Sequence, residues 1–428
     1  MADQMMRLTP VSMAFGALAT TVPLVATFAP VQVTALFLLF AVPLAFLAWR
    51  RAHAPFLFAS GGLLLCLLLW GGVTLSWSIA PDEGLKRLTR LLPLFALGAL
   101  CLAIAVRTDP LTRWTAARAV RGGVLIGIVT LILLSLNRYF VNGAFDFGVE
   151  EIMGADLLNY KVGGTCIAGL ALILLAQEID DGKHGRALAG AALVGLLVAA
   201  TQSTTALAAY GIGVAAFLAA VALPRVIGPA VAVAIPCVVM AMPWLPDPPF
   251  SLMKELSASG LHRAAIWHFT IDRIHEAQFL GWGLDSARDL PGGRDLVPDN
   301  FFGYKVQWVP EWHQLMQLET AEILPLHPHN NSLQVWLELG FPGAVLFAAL
   351  YGGAAILINR DSGRSRVQKA GLLAILCYLF VVASASFGIW QSWWICLQLT
   401  VWTLALAVLT KPHPVRPMPG QMPDIAGT

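Results

Sequence analysis

Long apolar runs separated by short polar segments dominate the chain. A helix of about 20 apolar residues crosses the hydrocarbon core of a bilayer while satisfying its own backbone hydrogen bonds. The pattern therefore predicts an all-α, polytopic integral membrane protein. It places twelve transmembrane helices near residues 12–29, 33–49, 56–75, 88–106, 119–137, 162–178, 186–201, 205–222, 226–243, 341–358, 368–386 and 392–410.

Composition excludes several classes of protein. Of the 428 residues, 57% are hydrophobic and only 12% are Asp, Glu, Lys or Arg, which is about half the charged share of a soluble domain. Such a chain is neither a soluble enzyme nor a disordered protein, and its net charge of +2 argues against a nucleic-acid partner. The six cysteines all lie in apolar runs, without the spacing of disulfide or zinc ligands.

Lysine and arginine concentrate in the loops on one side of the predicted helices, the side of both termini. The positive-inside rule makes that side cytoplasmic. The chain then divides into helices one to nine (1–243), a large extracytoplasmic loop (244–340), helices ten to twelve (341–410) and a cytoplasmic tail (411–428). A structureless loop as long as the large one is uncommon and usually functional.

The large loop contains two stretches with helical character. In the first, Ser257 or Ser259 is a suitable cap for a helix that ends near Glu276. Arg263 and Trp267 are four residues apart and so share a face of this helix. We expect the helix to lie on the membrane, with its apolar stripe in the interface and Arg263 directed at phosphates. Alternatively, Arg263 simply sits among headgroups or pairs with an acid.

The second stretch surrounds Pro328. This proline disfavours helix at the residue before it, and Asn330 or Asn331 is a suitable cap for the run that follows. His329 would then stand at the positive end of a helix dipole, which favours the neutral imidazole that a proton acceptor needs. Two alternatives stay open on the residues alone. One is a metal pair with His327, although no carboxylate or cysteine cluster lies nearby, and the other is a structural role.

A longer pattern includes this histidine. The run His329-Asn330, nine residues and then Gly340-x-x-Gly343 resembles the signature of bacterial O-antigen ligases, members of the wider O-antigen ligase and polymerase superfamily. Arg263 with Trp267, followed by Gly281-Trp282-Gly283, fits the order of that superfamily. The arrangement of twelve spans, cytoplasmic ends and one dominant loop fits it too.

The resemblance implies a GT-C-like membrane glycosyltransferase of the bacterial inner membrane, active on its periplasmic side. It would move O-antigen from undecaprenyl diphosphate to lipid A-core among the membrane lipids, without a metal or cofactor. The implied roles are general base for His329 and diphosphate binding for Arg263. Asn330 and Trp267 become substrate contacts. Direct displacement by the acceptor hydroxyl would invert the anomeric centre.

Three further cations are candidates for contacts to the diphosphate. Lys86 and Arg90 are four residues apart at the outer end of helix four, so they point the same way. Lys161 lies at the outer end of helix six. The competing interpretation for each is a side chain that snorkels to the membrane interface.

Other functions fit parts of the pattern. An O-antigen polymerase or a protein O-oligosaccharyltransferase would use the same donor, but the paired Arg motifs of some polymerases and the longer chain of the oligosaccharyltransferases are missing. A lipid flippase or transporter fits twelve spans equally well. It would need charged or helix-broken residues near mid-membrane, whereas polar and aromatic residues here crowd one outer loop.

Overall fold

The computed structural model describes residues 8–141, 157–248, 258–297 and 322–410. This part of the chain is built from thirteen α-helices, several of which begin at a proline, the residue whose missing N–H costs least in a first turn. They are α1 Pro10–Phe28, α2 Val33–Ala48, α3 Ala54–Thr74, α4 Pro81–Ala105, α5 Pro110–Val141, α6 Leu157–Asp180, α7 His184–Ala200, α8 Thr204–Ala222, α9 Pro224–Ala241, α10 Ala258–Glu276, α11 Asn331–Arg360, α12 Arg366–Ala383 and α13 Ser392–Val408.

Ten helical segments among the described residues are long and apolar enough to cross a membrane. Two further apolar helices, α7 and α13, have 17 residues each and fall just short of that length. Each of the twelve predicted spans coincides with one of these segments. The prediction of an all-α, polytopic membrane protein is confirmed, with ten full-length spans instead of twelve.

Two separate sets of bonds connect the ends of the helices. In one set, Arg121 and Arg186 both pair with the buried carboxylate of Glu178, joining α5, α6 and α7. In the other, the backbone N–H of Leu284 donates to Thr74 Oγ1 at 3.1 Å and holds the loop after α10 against the end of α3. Because consecutive spans alternate in direction, these two sets lie at opposite ends of the bundle. That the basic end is cytoplasmic remains a prediction.

Helix α11 is interrupted at Gly340, as the glycines around Pro342 predict. Gly340 has φ 61° and ψ −162°, and residues 331–339 before it, here called the buried half-helix, are all buried. The last carbonyls of the half-helix accept bonds from Trp282 N at 2.9 Å, Gly283 N at 2.9 Å and Trp70 Nε1 at 2.7 Å. The glycine-rich turn at 281–283 thus caps a helix end that would otherwise carry unpaired carbonyls.

Helix α10 ends at Glu276, as predicted, while the region of its cap lies largely outside the described residues. Its apolar stripe faces the protein, because Ile274 is fully buried and Trp267 and Ile271 are partly buried against the core. The prediction that this stripe lies in the membrane interface is therefore wrong. Phe341 N donates to Gln278 O at 3.0 Å and so joins the turn after α10 to the membrane-crossing part of α11.

Residues 142–156 before α6, the second half of the predicted large loop and the predicted tail at 411–428 fall largely outside the described residues. The domain boundaries drawn from the sequence stay predictions.

Candidate active site

His329 stands directly before the buried half-helix. Asn330 caps that helix, since its Oδ1 accepts bonds from the backbone N–H groups of Ser332 at 3.0 Å and Leu333 at 3.2 Å. The predicted cap is confirmed, and with it the position of His329 at the positive end of a helix dipole. His329 itself has a left-handed backbone with φ 54°. The side-chain oxygen of Asn330 is occupied by the helix, while its role toward a substrate stays a prediction.

A hydrogen bond from one ring nitrogen holds the side chain of His329 in place. Nδ1 lies 2.6 Å from the carbonyl oxygen of Ser386, and because a carbonyl only accepts, Nδ1 carries the hydrogen. In the neutral ring, Nε2 then keeps its lone pair, which is the arrangement of a general base. Burial lowers the pKa of His329, the Ser386 carbonyl raises it, and the charges of Arg263 and His262 lower it, with a lowered pKa as the net result.

Arg263 is on α10, and its charge lowers the pKa of His329. One turn further along α10, Trp267 Nε1 donates to the carbonyl oxygen of Pro328 at 2.9 Å and joins the helix to the histidine segment. Arg263 is half-buried, and burial alone lowers its pKa, with no carboxylate of the described residues contributing. A guanidinium that is partly removed from water without an acid partner is suited to an anionic ligand.

His327 has a different environment from His329. It is buried, and its Nδ1 accepts a bond from the backbone N–H of His329 at 3.1 Å, with the two ring centroids 4.3 Å apart. Burial, followed by the charges of His329 and Arg288, lowers the pKa of His327 to about 3. Among the described residues, no group of three or more His, Cys, Asp or Glu side chains is placed to hold a metal ion.

Residues 384–391, between α12 and α13, form what we call the histidine seat. Ser386 supplies the carbonyl for His329, and the side chain of Gln391 approaches Nε2 of His327 at 3.4 Å. Gly388 leaves room for the His327 ring, because a Cβ there would lie 2.8 Å from Cδ2 of that ring. The sequence reasoning missed this segment, since nothing local in it signals a contact with residues some sixty positions away.

A second group of residues missed by the sequence reasoning surrounds Glu338, a fully buried carboxylate of the half-helix. Glu338 accepts bonds from Gln334 Nε2 at 2.9 Å, Asp285 N at 2.7 Å and Trp390 Nε1 at 2.5 Å. Arg87 of α4 donates to Asp285 Oδ2 at 2.8 Å and to the carbonyl of Trp390 at 3.2 Å. This Glu338 network joins α4, the loop after α10, the half-helix and the histidine seat. Burial raises the pKa of Asp285, and the charge of Arg87 opposes that effect.

The structure separates the predicted cations by environment. Lys86 is exposed and pairs with Glu83 at 2.7 Å, and Arg90 is exposed on the same face of α4. Arg87, between them, is the cation that faces the protein. Lys161 is half-buried near the start of α6. Their contacts with a diphosphate remain predictions.

Comparison with known proteins relates part of the chain to a protein family. Residues 189–348, which include Arg263, both histidines and the half-helix, match the family described as O-antigen ligase. This segment is therefore similar to O-antigen ligases. The resemblance inferred from the sequence is confirmed for this part of the chain.

Similar proteins from three Rickettsia species carry the provisional name polysaccharide ligase. The identities are 36% over 155 residues for Rickettsia conorii, 34% over 156 for Rickettsia felis and 31% over 157 for Rickettsia prowazekii. In each case the similarity covers 36% of this chain and 33% of the relative. The chain thus spans about a third of the length of these relatives, and the similarity supports a ligase or glycosyltransferase type of enzyme.

Proposed function

We propose that the protein is an O-antigen ligase of the bacterial inner membrane. It transfers O-antigen from undecaprenyl diphosphate to a hydroxyl of the lipid A-core on the periplasmic face. The proposal is supported most by two groups that the Trp267–Pro328 bond joins: His329, whose Nδ1 is bonded to Ser386, and Arg263, a half-buried guanidinium without an acid partner among the described residues. One group can accept a proton and the other can hold an anion, and the charge of Arg263 reaches the ring of His329.

The reaction follows from these two groups. Nε2 of His329 takes the proton of the acceptor hydroxyl as its oxygen bonds to the anomeric carbon. The bond from that carbon to the diphosphate breaks, and undecaprenyl diphosphate leaves with the electron pair. Arg263 stabilises the negative charge that grows on the leaving group. At about 4 Å and an effective dielectric near 20, such a contact is worth about 4 kcal/mol before desolvation. Attack opposite the leaving group inverts the anomeric centre.

The other residues that the sequence predicts to contact a substrate also have roles in this proposal. Lys86, Arg90 and Lys161 stay candidates for second cations around the diphosphate. Asn330 holds the half-helix behind His329 through its cap, and Trp267 holds the segment in front of it. Polar and aromatic residues concentrated in one predicted outer loop favour surface chemistry over transport through the middle of the bundle.

Reconstitution of the purified protein tests the proposal. We expect transfer of glycan from an undecaprenyl-diphosphate-linked donor to lipid A-core, without added metal or nucleotide. His329→Ala and Arg263→Ala should each lower the rate by about 100-fold or more. Their matched controls are His184→Ala, an exposed histidine, and Arg294→Ala, an exposed arginine of the same loop. The controls should keep the parental rate.

Three outcomes would redirect the proposal. Extension of the lipid-linked glycan in place of transfer to lipid A-core would identify a polymerase. Transfer to a protein hydroxyl would identify an O-oligosaccharyltransferase. Retention of the anomeric configuration, detected by NMR of the product, would contradict the single displacement.

A further inference from the structure

The peptide group between Pro328 and His329 is held at both of its polar atoms by side chains. Its carbonyl oxygen, on Pro328, accepts a bond from Trp267 Nε1 at 2.9 Å. Its N–H, on His329, donates to Nδ1 of His327 at 3.1 Å. Neither bond belongs to regular secondary structure, and the two side chains come from different parts of the chain. Together they fix the plane of a single peptide group.

This peptide group leads into a strained residue. Among the described residues, only three that are not glycine have positive φ, and His329 is one of them. A left-handed backbone at such a residue costs free energy and persists only where the surroundings impose it. Rotation of the 328–329 peptide would let His329 relax to an ordinary backbone. Its ring would then leave the Ser386 carbonyl.

We propose that Trp267 and His327 form a peptide clamp that positions His329 for catalysis, acting on its backbone and touching neither substrate. The inference rests on the proposed function, because it takes His329 to be the base. It assigns Trp267 a role other than substrate contact. Since Trp267 lies one turn from Arg263 on α10, the clamp also fixes the separation of base and cation.

The surroundings of His327 suit an acceptor that stays unprotonated near neutral pH. Its Nδ1 can receive the His329 N–H only while it is unprotonated. The groups whose charges reach His327 are His329 and Arg288, and both oppose protonation. His327 is also buried against the histidine seat. The clamp therefore stays closed near neutral pH.

Two pairs of variants separate the clamp from general packing. His327→Asn keeps an acceptor that reaches the N–H two residues ahead, as in an Asx turn, whereas His327→Leu keeps bulk without an acceptor. Trp267→Phe removes only the indole N–H and part of the ring. Its matched control is Trp244→Phe, at an exposed tryptophan. A displacement of the base by about 1 Å costs about 100-fold in rate.

In the transfer assay with lipid-linked glycan and lipid A-core, we expect His327→Leu and Trp267→Phe to lower kcat by at least about tenfold. KM for the donor should stay within about twofold of the parental value, because these variants leave the ground-state binding of the donor unchanged. His327→Asn should retain kcat within about threefold of the parent. Equal losses in His327→Asn and His327→Leu would overturn the clamp at His327, and parental kcat in Trp267→Phe would overturn it at Trp267.

A chemical readout tests the clamp without any ligase activity. Diethyl pyrocarbonate modifies unprotonated imidazole, and mass spectrometry locates the modified ring. In the parent the pH midpoint of His329 modification should lie below the ordinary imidazole value, because burial, Arg263 and His262 lower the pKa of His329. In His327→Leu and Trp267→Phe the freed ring should titrate closer to the ordinary value, while His327→Asn follows the parent.

The two readouts distinguish the possible failures. A parent without transfer activity but with these shifts in midpoint would contradict the proposed function and support the clamp. An active parent whose midpoint is identical in all the variants would contradict the clamp and leave the proposed function standing.

Discussion

Nδ1 of His329 lies 2.6 Å from the carbonyl oxygen of Ser386, 57 residues further along the chain. The bond does for this imidazole what a carboxylate does in a catalytic triad, since it fixes the ring and its tautomer. A carbonyl carries only a dipole, however, so it favours the imidazolium less than a carboxylate would. Burial therefore outweighs this bond, and the pKa of His329 lies below the ordinary value.

The pH dependence of transfer follows from that lowered pKa. A general base works when unprotonated, so kcat/KM should rise with pH through the pKa of free His329 and then level off. The midpoint should lie below the ordinary imidazole value. A pH–rate profile of the parent with lipid-linked donor measures it. A midpoint above the ordinary value would contradict the assignment of the base.

Arg263→Gln should move this midpoint upward. The charge of Arg263 lowers the pKa of His329, so its removal makes the ring easier to protonate. Because the variant is also expected to lose activity, the midpoint is best followed by diethyl pyrocarbonate modification of His329. Arg294→Gln, at an exposed arginine of the same loop, is the control and should not move it. An unchanged or lowered midpoint in Arg263→Gln would place the two groups too far apart.

Stability in acid should depend on His327. The pKa of His327 is about 3 in the folded protein and near 6.5 in an unfolded chain. Between these values the unfolded chain binds more protons, so the free energy of unfolding falls as pH falls, by up to about 1.4 kcal/mol per pH unit. His327→Asn should show a shallower decline of the thermal midpoint from pH 6.5 to 4. Parallel declines in parent and variant would rule out this source of acid sensitivity.

Gly388→Ala should disturb the site from the side of the histidine seat. The added Cβ would lie 2.8 Å from Cδ2 and 2.9 Å from Cγ of His327, and a ring cannot yield as a flexible chain end does. We expect kcat to fall by at least about tenfold. Gly122→Ala is the matched control, with no atom within 4 Å of the added Cβ. Full activity in Gly388→Ala would show that the histidine seat can accommodate the added methyl group without displacing His327.

The Glu338 network predicts a rescue by a second substitution. Arg87→Gln removes the cation that is hydrogen-bonded to the carboxylate of Asp285, which should destabilise the protein by about 3 kcal/mol. Arg87→Gln combined with Asp285→Asn removes both charges of the pair and should recover much of that loss. Lys86→Gln, one residue away and exposed, should change stability by less than about 1 kcal/mol. Thermal unfolding in detergent compares these variants with Asp285→Asn alone, and additive losses in the double variant would contradict the coupling.

The spans were predictable because bilayer thickness dictates their length, and each predicted run is a helix here. The cap at Asn330 and the break at Gly340 were predictable because local backbone chemistry determines both. The contact of α10 with the protein was not, since an apolar stripe such as Trp267 to Ile274 looks the same whether it meets lipid or protein.

The predicted diphosphate-binding cations show the same limit of prediction from sequence. Periodicity correctly places Lys86 and Arg90 on one face of α4, but it does not say which face meets the protein, and the half-buried position belongs to Arg87. Glu338 carried a signal that was overlooked, because a lone carboxylate in the run Leu333–Leu339 needs partners wherever it is buried. Ser386 and Gly388 gave no such signal. Their importance comes only from tertiary contacts.

Both ends of the half-helix are fastened: its start by the Asn330 cap and its last carbonyls by Trp70, Trp282 and Gly283. A segment tied in this way cannot swing to meet a substrate. In the proposed reaction, the two lipid-borne sugars must therefore travel to a stationary imidazole and line up with it by their own movement.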